Sequence, residues 1–482
     1  MIFEIESEKR ITSITGPTVL KGPEQLIFSP FIFKQKVAEN QHVVANLFTR
    51  FYCCIDSSFV EGVSPNSHVN SAWWNSLPAN DKTLLLDNRV VISSDTDEFA
   101  TYNDTYRLLR TLSDQHPGFI RYNILTTTGC NARCPYCFEN SFFEKPIHMS
   151  FDTAEKVSKY ICETGSKTHP IYLRWFGGEP LVNLRVIDFI SNRLGEQGID
   201  FYSTMSTNGL LCSTNVIEKA KSLWRMSKIR ISMDGWGDEH NKRKRFLGGK
   251  DGFSIILKNI DAIIKSGITL TIRLNIDRDN EDSIKRLAEY LLSQYINVAN
   301  FNCYCRCLFD DISIDASKNA PELMQKVLAS RDQIENLLLE SGKYDYEKLS
   351  PDGFQMYLCA AQDPHKIVIT PSGGICKCEC FASDAVSWGK VGEDISKISV
   401  YNYWNKNTDI CRDKCKSCCF LPLCTPYSIC PSSVECRSRF EHTLILNLIE
   451  KYSRWIKKKE PIPMKDPLSI DISYNNMRQS KV

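Results

Sequence analysis

The sequence predicts an α/β chain built around a partial (β/α)6, TIM-like barrel, preceded by an N-terminal α+β domain and followed by a Cys-rich C-terminal domain. Three observations predict it. Six strand-like runs between Arg121 and Cys307 are each separated by an amphipathic helix pattern, as parallel βα units require. The most distinctive polar motifs all fall at the C-terminal ends of those runs, which is the active-site face in barrels of βα units. At 482 residues the chain is also too long for one ordinary core, so two or three domains are expected.

Residues 1–120 mix short strand-like runs with a helix expected at Tyr106–Ser113 and are read as a separate unit. Trp73 and Trp74 fall there and are read as core packing, with a peptide-binding face as the alternative. The barrel spans 121–307. Its expected strands are "RYNILTTTG" (121–129), "IYLRWFGG" (171–178), "DFYSTMSTN" (200–208), "KIRISMDG" (228–235), "TLTIRLNID" (269–277) and "VANFNCYCRC" (298–307). The helices between them are Thr153–Glu163, Leu184–Arg193, Thr214–Trp224, Ser254–Ile264 and Glu281–Ser293. A helical connector (308–358) includes "APELMQKVLASRDQIENLLLE", and the Cys-rich domain (359–457) ends in the helical run "FEHTLILNLIEKYSRWIK". The tail, 458–482, carries Pro461, Pro463 and Pro467 and is expected to be irregular.

Charge excludes some partners. The net charge of +2 leaves no nucleic-acid footprint, and the basic run "NKRKR" (241–245) reads as a solvated face. No apolar segment approaches the ~18 residues of a membrane span, and "MIFEIESEKR" does not resemble a signal peptide. A cytoplasmic protein is expected, with no nucleic-acid or membrane partner. Twenty-one cysteines in a reducing compartment then point to metal rather than disulfides. Eleven of them lie between Cys359 and Cys436, and three more at Cys130, Cys134 and Cys137; Cys53, Cys54, Cys162 and Cys212 read as small buried hydrophobes or bystanders.

The stretch "TTGCNARCPYCFEN" (127–140) leaves the first barrel strand. Soft thiolates at Cys-x3-Cys-x2-Cys spacing suit an iron–sulfur cluster or zinc. Structural zinc wants four ligands, and no fourth is near. Three ligands would leave one iron of a [4Fe–4S] cluster open. The run "CNARCPYCFE" resembles the cluster-binding loop of radical S-adenosylmethionine enzymes, with Tyr136 in the aromatic slot before the last cysteine. Downstream motifs follow in the same order: "GGEP" (177–180), "STNG" (206–209), "SMDG" (232–235) and "RLNID" (273–277), each at a successive strand end. The resemblance covers about residues 121–307. It implies one-electron reduction of the sulfonium to a 5′-deoxyadenosyl radical that abstracts hydrogen from an unreactive C–H bond. On that reading Gly177 and Gly178 let backbone approach the cofactor, and Glu179 offers an acceptor for its ammonium. Ser206, Asn208 and Ser232 reach its carboxylate or ribose, and Arg273 pairs with the carboxylate. His240, Asn241 and Arg243 either line the site or sit on a solvated loop.

The later cysteines form a second pattern. Cys359 precedes Gly373 by thirteen intervening residues, and four more separate Gly373 from Cys378. "CKSCCFLPLCTPYSIC" then gives Cys415-x2-Cys418-x5-Cys424-x5-Cys430, with Cys436 beyond. This is similar to the SPASM extension of peptide-modifying radical enzymes, which carries auxiliary [4Fe–4S] clusters, except that its last spacing there is usually x3. The resemblance implies Cys359, Cys378 and Cys430 at one cluster and Cys415, Cys418, Cys424 and Cys436 at the other. His365, Cys376, Cys380 or Cys411 could complete the first set, or its last position stays open. Cys303, Cys305 and Cys307 alternate along the sixth strand and are read as packing residues, with a catalytic cysteine as the alternative.

Barrel, auxiliary-cluster extension and N-terminal domain together resemble maturases of ribosomally made peptides, which install thioether, carbon–carbon or ether cross-links or other oxidations. The resemblance implies a precursor peptide or protein substrate, an external flavodoxin- or ferredoxin-like electron donor, S-adenosylmethionine, one catalytic [4Fe–4S] cluster and two auxiliary ones. Residues 1–120 would guide the leader or substrate. The alternatives are an anaerobic sulfatase-maturating enzyme, against which the absence of a "QFIP"-like sixth strand counts, and a non-catalytic iron–sulfur protein that binds peptide or carries electrons.

Overall fold

The computed structural model describes residues 2–4, 22–57, 60, 62–113, 120–137, 145–308, 321–349, 363–379, 382–384, 387–393, 415–416, 418–423, 445–450 and 452. Contacts divide the chain into two compact units: Met1–His116 with Glu347–Cys359 and Asn407–Val482, and Pro117–Tyr346 with Ala360–Lys406. The Cys-rich stretch therefore contributes to both units. No helix among the described residues is long and apolar enough to cross a membrane.

The first unit contains β1 (Ile2–Glu4), β2 (Leu26–Phe28), β3 (Ile32–Ala38), β4 (Gln41–Asn46), β5 (Phe51–Asp56), α1 (Ser71–Ser76), α2 (Ala79–Asp87), β6 (Val91–Ser93) and α3 (Glu98–Ser113). Strands β1, β5, β4 and β3 form an antiparallel sheet in that order, and β2 pairs with β6. One face of the sheet packs Val44, Phe51 and Cys53 against Leu85, Val91 and Trp74, with Trp73 half-buried on the same core. Both tryptophans thus serve packing, and Asn70 caps α1 by accepting from Trp73 N–H at 3.0 Å. The other face packs Val43, Tyr52 and Cys54 against Leu423, Leu448 and Tyr452 from the C-terminal stretch. Helix α3 begins about two turns before the expected start, where Asp97 Oδ1 accepts from Ala100 N–H at 2.9 Å. The polar residues Thr101, Asn103 and Asp104 hide that first part from a periodicity reading.

The second unit holds the barrel: β7 (Arg121–Thr127), α4 (Phe151–Thr164), β8 (Ile171–Gly177), α5 (Leu184–Glu196), β9 (Phe201–Thr207), α6 (Thr214–Ser222), β10 (Met226–Met233), α7 (Asp238–Lys244), α8 (Gly252–Ser266), β11 (Thr269–Ile276), α9 (Glu281–Tyr295), β12 (Phe301–Cys307) and α10 (Pro321–Glu340). Strands β7 to β12 pair in parallel and in chain order. The sheet then continues from β7 through β13 (Lys366–Ile369), β14 (Gly374–Cys376) and β15 (Gly389–Lys390). The β7 edge is therefore covered rather than exposed to edge pairing.

Period-2 alternation decides which residues face the lumen. On β10, Ile229, Ile231 and Met233 are buried on the helix side, while Arg230 and Ser232 stay partly exposed on the other. The helices present matching apolar stripes, as with Phe253, Ile256, Ile260 and Ile263 of α8. Caps fix their starts: Ser150 accepts from Thr153 N–H at 3.1 Å, and Asp251 from Ser254 N–H at 3.3 Å. Helix α7 falls where the sequence suggested a polar loop.

Candidate active site

The cysteine loop leaves β7 and is fastened at both ends. Thr127 Oγ1 accepts from Gly129 N–H at 2.8 Å at the strand end. Further on, Arg133 N–H donates to the carbonyl of Lys244 at 2.9 Å, and Leu247 N–H donates to that of Asn131 at 2.9 Å, so the loop lies against the C-terminal end of α7. Cys130, Cys134 and Cys137 form no disulfide among the described residues, and all three are partly exposed. Burial is the main cause that pushes the Cys130 thiol up to about 12. Among the described residues, no three His, Cys, Asp or Glu side chains are drawn into a ready metal-binding group.

Gly177 and Gly178 are needed by this same junction. A Cβ on Gly177, whose φ is +126°, would stand 2.1 Å from the Thr127 carbonyl oxygen, and one on Gly178 would stand 2.5 Å from the carbonyl oxygens of Thr128 and Gly129. The chain thus turns so tightly from β8 that Glu179 N–H reaches the Gly129 carbonyl at 2.9 Å. The Glu179 side chain is fully buried. Its Oε1 accepts from Thr207 Oγ1 at 2.8 Å and Leu181 N–H at 3.2 Å, and its Oε2 from Asn208 N–H at 2.7 Å. Both oxygens are engaged within the protein, and Glu179 ties the β8 end to the β9 end. Asn208 extends the tie, donating to Asn131 Oδ1 at 2.6 Å and approaching Cys130 Sγ at 3.9 Å.

A second buried network closes the β10 side. Asp234 accepts from Tyr136 OH and from Asn275 Nδ2 at 2.8 Å, and it pairs with Lys244 Nζ at 3.1 Å. Lys244 also donates to Ser232 Oγ at 3.0 Å and to Tyr136 OH at 3.1 Å. The "NKRKR" run is therefore not all solvated, because Lys244 is buried with Asp234. Burial alone would raise the Asp234 pKa, but Lys244, His240 and the Tyr136 and Asn275 hydrogen bonds outweigh it and hold the carboxyl below its usual range. His240 lies beneath this turn, fully buried, its Nδ1 accepting from Asp234 N–H at 3.1 Å. Arg243 pairs with Asp277 and Glu239, and Asn241 donates to Asp251 Oδ1 at 2.8 Å. Of these three polar residues only His240 joins the network around Asp234. The sequence reading missed Asp234 and Lys244, although Asp234 is the acid of "SMDG".

Deeper in the lumen, Arg174 of β8 donates to Glu379 Oε2 at 2.9 Å and to Ser206 Oγ at 3.5 Å. Lys366 Nζ reaches the same carboxylate at 2.9 Å, and Asn123 also donates to it. Glu379, next to Cys378, is thereby tied to the barrel, and the Arg174 and Lys366 charges overcome burial to hold its pKa low. Arg273 is placed beside Ser232 by the β10–β11 register. Among the described residues its side chain has no hydrogen-bond or ion-pair partner, and its Nε is buried without one.

Three sulfurs point elsewhere. Cys303 and Cys305 are buried, and Cys305 N–H donates to Glu335 Oε1 of α10 at 3.3 Å. Cys307 shares that side, where burial and then the charges of Arg331 and Glu335 act on it; the net effect raises its thiol to about 11. Tyr304, between them, faces the lumen under Arg230. Of the remaining cysteines, Cys376 packs with Leu125 and Val368. Cys378 and His365 lie in the second unit, and Cys415 and Cys418 in the first, where Cys418 N–H donates to the Cys415 carbonyl at 3.1 Å in a tight turn. Cys359, Cys380, Cys411, Cys424, Cys430 and Cys436 lie outside the described residues.

Residues 124–291 match the Radical SAM superfamily. The barrel is a radical SAM domain. The cofactors that go with this domain are S-adenosylmethionine and a [4Fe–4S] cluster. The chain is similar to GTP 3′,8-cyclase of Clostridium perfringens (strain SM101 / Type A), at 26% identity over 55% of this chain and 83% of that protein. It is also similar to the serine-type anaerobic sulfatase-maturating enzyme of Bacteroides thetaiotaomicron, at 26% identity over 48% of this chain and 54% of that one. In three dimensions it resembles native anSMEcpe with bound AdoMet, with TM-score 0.53 and 17% identity over 70% of this chain and 96% of that chain. That likeness extends the agreement in fold past the radical SAM domain itself.

Proposed function

We propose that this protein is a radical SAM maturase acting on a peptide, joining two of its residues or otherwise oxidising one at an unactivated carbon. When bound, the cluster and S-adenosylmethionine supply a one-electron route to a carbon radical that removes a hydrogen atom. Cys130, Cys134 and Cys137 would hold the cluster. Three cysteines on one strand-end loop, with no fourth ligand beside them among the described residues, fit a four-iron cluster with one open iron, and the cluster itself would draw them together. The unpartnered Arg273 Nε fits the cofactor carboxylate, with Ser232 beside it. Glu179 and Asn208 act by fixing the loops, and Tyr136, Asp234 and Lys244 by closing the β10 side against water.

A cross-link consumes two X–H bonds. One hydrogen leaves as an atom, and the other as a proton and an electron, so an electron acceptor is required. Cysteines around Cys378, Cys415 and Cys418 would hold auxiliary clusters able to take that electron, and a reduced flavodoxin- or ferredoxin-like donor would start the cycle. The observation that carries the reading is the radical SAM barrel joined to a second, cysteine-rich region in one chain. Native anSMEcpe is also known with bound AdoMet and the Cp18Cys peptide, which supports a peptide as the class of substrate. The sulfatase-maturating relative keeps oxidation of a Ser or Cys to formylglycine as the second reading.

Mass spectrometry of candidate peptides after anaerobic turnover tests this. A cross-link predicts loss of two hydrogens and no reaction with hydrazide. A hydrazide-reactive aldehyde would select the formylglycine reading instead. Unchanged peptides despite nucleoside release would overturn peptide maturation on the peptides tried.

A further inference from the structure

Among the described residues, two cationic side chains of the barrel lumen are paired with no acid. Asp234 is paired with Lys244. Glu379 is shared by Arg174 and Lys366, and it also feels the charge of Arg230. That leaves Arg230 and Arg273. Neither side chain has a hydrogen-bond or ion-pair partner among the described residues, and the Nε of each is buried without an acceptor. Arg230 lies over the ring face of Tyr304, 5.8 Å from its centroid. Register sets Arg230 opposite Thr271 and Ser232 opposite Arg273, so the two arginines are diagonal neighbours on one face of adjacent strands.

Two unpaired cations so placed repel one another, and each leaves a buried donor unsatisfied. An anion at each position removes both costs. The cofactor has one carboxylate, which the reading above gives to Arg273. A second cation therefore calls for a second anion. Around Arg230 the neighbouring strands contribute the short side chains Ser206 and Thr271; among the described residues neither accepts from its guanidinium group, and neither carries a charge that would neutralise it. A planar fork with its donors free is suited to bidentate recognition of a carboxylate.

We propose that Arg230 forms a carboxylate-reading subsite, so that the substrate presents an acidic group in the lumen alongside the carbon that is oxidised. The proposal rests on the maturase reading for the statement that the ligand is a peptide. An Asp or Glu side chain and a free C-terminus share this chemistry.

The test uses the reconstituted full-length chain with S-adenosylmethionine bound. Ligand-observed NMR compares three probes: an end-capped Ala-Glu-Ala tripeptide, its Ala-Gln-Ala twin, and an acetylated Ala-Ala-Ala with a free C-terminus. The expected result is that at least one carboxylate probe binds about tenfold or more tightly than the Gln twin, and which one does so identifies the source. Arg230→Gln should abolish that preference, while Arg230→Lys, keeping charge without the fork, should retain part of it. Equal binding of the three probes, binding of none, or a preference that survives Arg230→Gln overturns the proposal. The unmodified chain alone decides the first two outcomes should Arg230→Gln fail to fold. Nucleoside release from the same preparation reports the radical reading separately, so the two can fail independently.

Discussion

Lys244 shows how one side chain can organise a site without being legible as part of it. It contacts Asp234, Ser232 and Tyr136 at once, from within a run of basic residues in which Lys242 and Arg245 lie outward. Replacing it with Met strands a buried carboxylate and should cost about 3–5 kcal/mol of stability, read by chemical denaturation. His240 makes a pH-dependent contribution to the same region. Burial, and next the charge of Lys244, push its imidazole down to about 3, with Asp234 and Asp251 acting in the opposite sense. The unfolded chain takes up a proton near pH 6.5 that the folded chain refuses, so stability should decline as pH falls from about 6.5 toward 3. His240→Asn keeps an acceptor for Asp234 N–H, and the slope of unfolding free energy against pH in that window should flatten. An unchanged slope would mean that the histidine is protonated in the folded chain. Gly177 is the third residue of this kind. Gly177→Ala meets the Thr127 carbonyl oxygen at a φ that alanine resists, and should destabilise by about 3 kcal/mol or more in thermal unfolding.

At the scale of elements, the strands were the most legible part of the chain. Apolar runs bounded by glycine and polar motifs placed β7 to β12 within about three residues of their observed bounds. The motif positions were legible for the same reason, since a strand end is where backbone must turn and glycine or short polar residues accumulate. What the glycines are for was not. Gly177 and Gly178 answer to the neighbouring strand's carbonyls, a contact that only the β7–β8 pairing creates. Helix α7 was hidden because seven charged or polar residues in a row carry no apolar period, yet its His240 and Lys244 turn inward. The Arg174–Glu379 pair joins residues more than two hundred positions apart, and no local pattern announces it. The alternation of cysteines on β12 was readable, and the structure adds which side they take. They face α10, away from the lumen, so Cys307→Ala should leave nucleoside release and peptide turnover within about twofold of the unmodified chain.

For the whole molecule, the chain combines a radical SAM barrel with a cysteine-rich stretch that contributes to both compact units. The second unit carries β13 to β15 on the open edge of the barrel sheet, with Glu379 tying the turn beside Cys378 to the inner strands. Breaking that tie with Glu379→Gln should lower the iron retained per chain after desalting while leaving the iron held by the Cys130 loop, as separated by EPR. The central claim is that Cys130, Cys134 and Cys137 hold the catalytic cluster. The measurement that tests it most directly is anaerobic reconstitution of the full chain and of its triple Cys→Ala variant, followed by iron and sulfide analysis and by assay of 5′-deoxyadenosine after addition of reductant and S-adenosylmethionine. The account predicts about twelve irons for three four-iron clusters in the unmodified chain, about four fewer in the variant, and nucleoside from the first alone. Nucleoside release that survives the triple substitution, or zinc in place of iron, would contradict it.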